Sequence, residues 1–355
     1  MTVPQGTVDK AATPETEASP YVVRAETPVY GGYVIVRDGK VLFIKGAVPG
    51  ELVEVSIEEK KKDYSIAAVH SVLEPSSSRR RPPCPVFGIC GGCQLQFMEY
   101  GRQVSIKEEI LLETMKRIGT VDAVLSPSLT AHEFRYRHRG QFKVSRKGDI
   151  GFYHEGTRDV VPVEECPLMV DGINAALRGL RKADLRGVKE IQITSGDTQT
   201  LMIKGQMSDD TSQLLIESGV SGIAFDNGDS LGKDYISLDL NGLKYTVTPW
   251  SFFQSNWALN CVVVDAVTKQ LSPLENKRIL DLYAGAGNFS LPLALGASEV
   301  TAVEENPAAI EDGRRNAMLN SIRNCRFVNL SVEKSLEGKK KQQVEKTGKT
   351  DAGRA

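Results

Sequence analysis

The sequence predicts a multidomain protein built from a small antiparallel, OB-like β-barrel, an α+β middle domain and a partial α/β domain of the Rossmann type. Short Val, Ile, Leu and Phe runs separated by Gly turns fill Tyr30 to Leu73, which is barrel patterning. Strand-like and helical segments then mix between about 131 and 245, as in an α+β domain. From Arg278 to Asn320 a strand, Gly-rich turn, helix, strand, acid and helix follow one another, the opening of a doubly wound sheet. A length of 355 residues accommodates two or three such cores.

Composition sets the outer bounds. A hydrophobic share of 41%, a charged share of 25% and 32 Gly describe an ordinary globular chain, neither collagen-like nor wholly disordered. Lys and Arg number 44 against 45 Asp and Glu, so a nucleic-acid partner has to be held by local basic patches and not by a global field. No run approaches the roughly 18 apolar residues of a membrane helix, and the first twenty residues carry no apolar signal core, so a cytoplasmic protein is expected. Six Cys are too few for a disulfide scaffold of this length, and clustered thiols in a reducing compartment suit a metal.

Residues 1–20 are polar and are expected to be a disordered leader. The barrel follows over 21–75; its turns carry Asp38-Gly39 and Pro49-Gly50, and Glu58 to Lys62 read as a solvated loop. Serines, arginines and prolines in Glu74 to Pro83 then break the pattern and mark a boundary. The middle domain spans 76–245. In it Val104, Ile106, Ile110, Leu111 and Met115 lie near one face of a helix over Tyr100 to Arg117, expected to pack on the third domain. That third domain, 246–330, is entered through a helix over Ala258 to Leu271. The stretch 331–355 holds seven Lys or Arg, four Asp or Glu and few apolar side chains, so disorder is expected there.

Three of the cysteines make the sharpest chemical signal, Cys84-x5-Cys90-x2-Cys93, with Gly88, Gly91 and Gly92 letting the backbone fold closely and Cys166 available as a fourth thiolate. Four sulfurs suit a tetrahedral zinc or a four-iron cluster. The x5 gap is longer than zinc ribbons favour, and the fourth Cys comes 73 positions after the third, which leans towards iron-sulfur without excluding zinc or free thiols.

The second signal is DLYAGAGNFS, Asp281 to Ser290, between an apolar strand and a helix. Gly285 and Gly287 allow close approach of a ligand, and Glu304, 17 residues beyond Gly287, ends the next strand where a carboxylate can accept both ribose hydroxyls of an adenosine cofactor. Ser290 stands where a dinucleotide fingerprint has its third Gly, and Asp281 can meet a cationic ligand; both lean towards S-adenosylmethionine. A third signal is EFRYRHRGQFKVSRK, Glu133 to Lys147, with six Lys or Arg, one acid, and Phe134, Tyr136 and Phe142 interleaved. Cations for phosphates and rings for splayed bases suit single-stranded RNA, and Arg79 to Arg81 add to the charge. The four His form no HExxH or close pair, and neither a GxSxG elbow nor a Walker loop is present.

Together these residues resemble the RNA 5-methyluridine (uracil-C5) methyltransferase family, in particular its iron-sulfur-containing branch acting on 23S ribosomal RNA. DGKVLFIKGAVPGE resembles the TRAM RNA-binding module; CPVFGICGGCQLQ with the later EECP resembles the cluster-binding segment; SFFQSN (Ser251 to Asn256) and DLYAGAGNFSLPLA resemble the cofactor site. The resemblance implies that Cys84, Cys90, Cys93 and Cys166 hold a four-iron, four-sulfur (4Fe-4S) cluster and that Gln254, Tyr283, Asn288 and Glu304 bind S-adenosylmethionine. It implies RNA as partner, 23S rRNA first and transfer RNA as the nearest alternative, with no membrane. A further Asp contact of the family falls near Ser331 in this chain.

The family's chemistry adds a Cys thiolate at carbon 6 of a flipped-out uridine, lets the enolate attack the sulfonium methyl, and removes the carbon 5 proton with a base before the thiolate leaves. The family places these groups after its fourth strand, whereas apolar strands cease here at about Leu330, after three. Four Cys are taken by the cluster, Cys261 falls on a helix before the cofactor strand and Cys325 comes too early, so no catalytic residue is assigned. A C-terminally truncated or interrupted member, not self-sufficient in catalysis, is the resulting expectation. A noncatalytic RNA-binding iron-sulfur protein, or a redox enzyme using the cluster, fits the same motifs less fully.

Overall fold

A computed structural model describes residues 21–206 and 211–337. The expected leader, 1–20, therefore lies outside the described residues, as does most of the expected tail. The chain divides into two compact units, Met1–Pro82 with Cys93–Ser126, and Pro83–Gly92 with Pro127–Ala355. Among the described residues no helix is long and apolar enough to cross a membrane.

The first unit holds β1 (Tyr21–Arg24), β2 (Thr27–Val29), β3 (Tyr33–Asp38), β4 (Lys40–Lys45), β5 (Leu52–Lys60) and β6 (Tyr64–Glu74) in one sheet ordered β1-β5-β6-β4-β3-β2. Val23 of β1, Val34 and Val36 of β3, and Ile44, Val53, Val55 and Ala67 share a single core, so the sheet curls on itself as the alternating pattern predicts. Three details differ from expectation. Glu58 to Lys60 extend β5 as strand and not as loop. β4 and β6 pair in parallel within an otherwise antiparallel sheet, and β1 and β2 arise from a segment too short and Pro-broken to show alternation. Arg79 is not a surface cation: it forms an ion pair with the fully buried Glu51 and lies 5.0 Å from the Phe97 ring centroid. Helix α1 (Tyr100–Arg117) has the expected limits, yet it belongs to this unit, contacts β2, and buries Ile106 alone, leaving Leu111 exposed.

In the second unit β7 (Arg139–Val144), β8 (Ile150–Tyr153), β9 (Val160–Pro162), β10 (Val188–Ser195), β11 (Gln199–Gly205), β12 (Gly222–Phe225) and β13 (Ser230–Gly232) form a sheet ordered β13-β12-β11-β10-β7-β8-β9. Helix α2 (Asp171–Leu180) lays Ile173, Leu177 and Leu180 on Phe142, Ile191, Ile193 and Leu201 of that sheet, and α3 (Thr211–Ser218) packs beside α2. Next come the hairpin β14 (Ile236–Leu240) and β15 (Leu243–Val247), α4 (Trp257–Leu271), β16 (Arg278–Leu282), α5 (Ser290–Ala294), β17 (Glu299–Glu304), α6 (Pro307–Leu319) and β18 (Cys325–Asn329), with β16-β17-β18 parallel.

The sequence pattern puts the hairpin in the middle domain, but its core partners place it otherwise. Leu238, Leu243 and Tyr245 are buried with Trp257, Leu291, Ile310 and Phe327, so the hairpin shares its core with the half that carries β16 to β18. Asn241 (φ 53°) and Gly242 (φ 91°) make the tight reversal that joins its strands. The expected disordered tail also starts in order: 332–337 are helical and Val332 is buried.

Candidate functional site

The turn between β16 and α5 contains three left-handed residues, Tyr283 (φ 61°), Gly285 (φ 55°) and Gly287 (φ 90°). Tyr283 must carry its Cβ there, a conformation that costs on the order of 1–3 kcal/mol and gathers at ligand sites. Its side chain is 71% exposed, so core packing does not explain the strain. A Cβ added to Gly285 would meet only the carbonyl oxygen of Phe252, at 4.0 Å, which leaves the turn open to close approach by a ligand. At Gly287 the same atom would strike Leu291 and Phe327 at 2.9 and 3.0 Å, so this Gly serves packing.

Glu304 ends β17, the strand paired with β16, at the carboxyl edge where open parallel sheets bind nucleotides. The Gly285 N–H donates to its Oε2 at 3.0 Å and the Asn306 N–H to its Oε1 at 2.8 Å. The carboxylate is thereby aimed and still has lone pairs for ligand hydroxyls. Asn288 exchanges two amide hydrogen bonds with Asn260 of α4, at 2.7 and 2.9 Å. Gln254 is exposed on the 248–256 loop, two residues beyond Phe252. The structure thus gathers Tyr283, Asn288 and Glu304 around one turn and lays the Gln254 loop against Gly285. These groups suit an adenosyl ligand. Asp281 accepts a hydrogen bond from Ser290 Oγ at 2.6 Å, and burial pushes its carboxyl above the ordinary range against that bond.

The loop is held by Asp312, Asn306 and Gln192, which belong to none of the sequence motifs, and by Arg139 of the basic-aromatic stretch. Asp312 and Asn306 of the α6 region reach it from one side, and Arg139 and Gln192 of the larger sheet from the other. Burial draws the Arg139 guanidinium down to about 10 while the Asp312 carboxylate opposes the shift. This revises the basic-aromatic stretch. Arg139 is committed to Ser251 and Phe253, Phe142 is fully buried in the sheet core, Lys143 is paired with Glu190, and Arg135 with Glu165 and Asp171. Exposed cations remain at Arg146 and Lys147.

The cysteines are divided between the units, Cys93 in the first and Cys84, Cys90 and Cys166 in the second. Cys90 lies close enough to Cys84 to feel its charge, and a Cβ on Gly92 would sit 3.5 Å from Cys90 Sγ. The Cys166 backbone is fixed by Asn174, whose Oδ1 accepts its N–H at 2.9 Å. Among the described residues no three His, Cys, Asp or Glu side chains are grouped so as to hold a metal. Of the other thiols, Cys325 is pushed up to about 12 by burial and the neighbouring Asp281, and burial also raises Cys261; neither is a ready nucleophile.

Comparison with known proteins accords with this geometry. The sequence profile of the tRNA (uracil-5-)-methyltransferase family matches residues 214–346. A Cronobacter sakazakii protein named 23S rRNA (uracil(1939)-C(5))-methyltransferase RlmD is 34% identical over 323 residues, 86% of this chain and 74% of the relative. An Aquifex aeolicus protein named as an uncharacterized RNA methyltransferase is 33% identical over 345 residues, 90% of this chain and 79% of its own length. Among solved structures, the Pyrococcus abyssi tRNA (uracil-54, C5)-methyltransferase in complex with S-adenosyl-L-homocysteine has the same fold, with a TM-score of 0.64 at 22% identity, covering 87% of this chain and 78% of that one.

Proposed function

The chain belongs to the RNA 5-methyluridine methyltransferase family, and from that premise we propose that it serves S-adenosylmethionine-dependent methylation of a uridine carbon 5 in 23S ribosomal RNA. The observation that carries the cofactor half is the Glu304 carboxylate, aimed by the Gly285 and Asn306 amides beside a turn open to a ligand. Glu304 would accept the ribose hydroxyls, and Gln254, Tyr283 and Asn288 would hold the remainder of the cofactor. When bound, S-adenosylmethionine supplies the electrophilic methyl carbon. Among the described residues the thiols outside the proposed cluster set, Cys261 and Cys325, are kept protonated by burial, so we assign this part of the chain binding and positioning and no catalytic residue.

For the four remaining thiols we retain the family's cluster as a proposal. Thiolates repel one another and converge only when a cation offsets their charge, so a cage is completed by its metal. The nearness of Cys84 to Cys90, and of Gly92 to the Cys90 sulfur, supports it. The barrel of the first unit, residues 21–75, is likewise proposed to be a TRAM-type RNA-binding module. Methyl transfer from labelled S-adenosylmethionine to unmodified 23S rRNA and to unmodified transfer RNA, run in parallel, tests the reading. Incorporation into transfer RNA alone would move the chain to the other branch.

A further inference from the structure

The 248–256 loop, which carries Gln254, is fixed by more buried polar contacts than a surface connection needs. Asp312 of α6 is 1% exposed, and its Oδ2 accepts three hydrogen bonds from the loop: the Thr248 N–H at 2.9 Å, Thr248 Oγ1 at 2.9 Å and Ser251 Oγ at 2.5 Å. Asn306, which caps α6 by accepting from the Ala308 and Ala309 amides, donates to the Trp250 carbonyl at 3.2 Å. Opposite them, Arg139 donates to the Ser251 carbonyl at 2.8 Å with its guanidinium 4.4 Å from the Phe253 ring centroid, and Gln192 donates to the Pro249 carbonyl at 3.1 Å.

The helix that fixes this loop also fixes the far wall of the cofactor turn. It begins three residues after Glu304, and the Asn306 N–H is one of the two donors that aim the Glu304 carboxylate. On the loop side, the Phe252 carbonyl stands 4.0 Å from where a Cβ on Gly285 would lie, so a displacement of about one ångström would close the opening or withdraw Gln254 from it. We propose that Asp312 is a positioning residue for S-adenosylmethionine: through Thr248 and Ser251 it sets the separation between the Gln254 loop and the Gly285–Glu304 turn. The inference rests on the cofactor reading of that turn.

A carboxylate that merely stabilised the fold would lower the melting midpoint without altering ligand affinity well below it. Calorimetry with S-adenosylhomocysteine on the full chain separates the two. Asp312→Ala is expected to weaken binding at least tenfold, and Asp312→Asn, which keeps an acceptor oxygen for the same donors, to return it to within threefold. If Asp312→Ala does not fold, Ser251→Ala, which leaves both Thr248 bonds in place, takes over the test with the same tenfold expectation. Binding within twofold of the unaltered chain by whichever of these two variants is read overturns the proposal. So does a tenfold loss in Asp312→Asn, because the loss would then not follow the hydrogen bonds. An unaltered chain that binds no S-adenosylhomocysteine is a different result: it removes the cofactor reading itself and takes this proposal with it.

Discussion

Asn316 of α6 pairs with Thr246 of β15 as a neighbouring strand would: its carboxamide oxygen accepts the Thr246 N–H at 2.7 Å and its nitrogen donates to the Thr246 carbonyl at 3.1 Å. Asn320 treats Lys244 the same way, at 2.8 and 2.7 Å, and Asp312 accepts the Thr248 N–H. The match is one of pitch, since four residues of helix rise about 6 Å and two residues of strand about 6.7 Å. β15 pairs with β14 on one edge, and this stripe satisfies backbone on the other. Asn316→Ala would leave a buried donor and acceptor of Thr246 unpaired and is expected to cost roughly 2–4 kcal/mol. Urea unfolding checks it; a loss under about 1 kcal/mol would mean that water replaces the amide.

Glu304→Gln is expected to weaken S-adenosylhomocysteine binding by about ten- to a hundredfold, the worth of hydrogen bonds to a charged acceptor. One of its new amide hydrogens must face the Gly285 or Asn306 N–H, so a small drop in melting midpoint accompanies the change. Calorimetry that finds affinity unchanged would place the ribose elsewhere.

In the first unit, burial would raise the Glu51 carboxyl, but Arg79 with the Val48 and Ser76 amides outweighs it and holds the group below its ordinary value. The sign follows from linkage. With the folded value lower, the unfolded chain binds protons first, so this stabilisation is complete above the ordinary carboxylate value and fades as pH falls through the folded one. Glu51→Gln should lose stability at neutral pH, by about 2–4 kcal/mol since Arg79 is only partly exposed, and should flatten the acid limb of a stability–pH curve. An acid limb as steep as that of the unaltered chain would assign it to other carboxylates.

What can be read from the sequence is what local pattern decides. The limits of α1 and the β16-turn-β17 series follow from helical period, strand runs and glycines within a few residues. Membership of the hairpin does not, because Tyr245 finds Phe327 and Trp257 only through the folded core. Phe142 reads as a stacking ring only when composition is weighed ahead of alternation: it shares a strand face with Gly140 and Val144, while Lys143 takes the other. Asp312, Asn316 and Asn320 have the spacing of an ordinary solvated helix face, and nothing local says that β15 lies against it.

The revised basic stretch makes a separable prediction for RNA. Arg146 and Lys147 sit exposed between β7 and β8, whereas Arg139 and Phe142 are spent inside the fold. Removing one cation from a phosphate of single-stranded RNA should reduce the slope of log affinity against log salt by about 0.7. The double variant Arg146→Ala, Lys147→Ala should therefore flatten that slope by about 1.4, twice the single-site value, with the melting midpoint unmoved. Phe142→Ala, by contrast, should cost about 3–5 kcal/mol of stability through the cavity it leaves. Filter binding of a 23S rRNA fragment over a potassium chloride series distinguishes them. If the double variant keeps the full slope, RNA does not run over this turn, and the cations that hold it must be sought elsewhere.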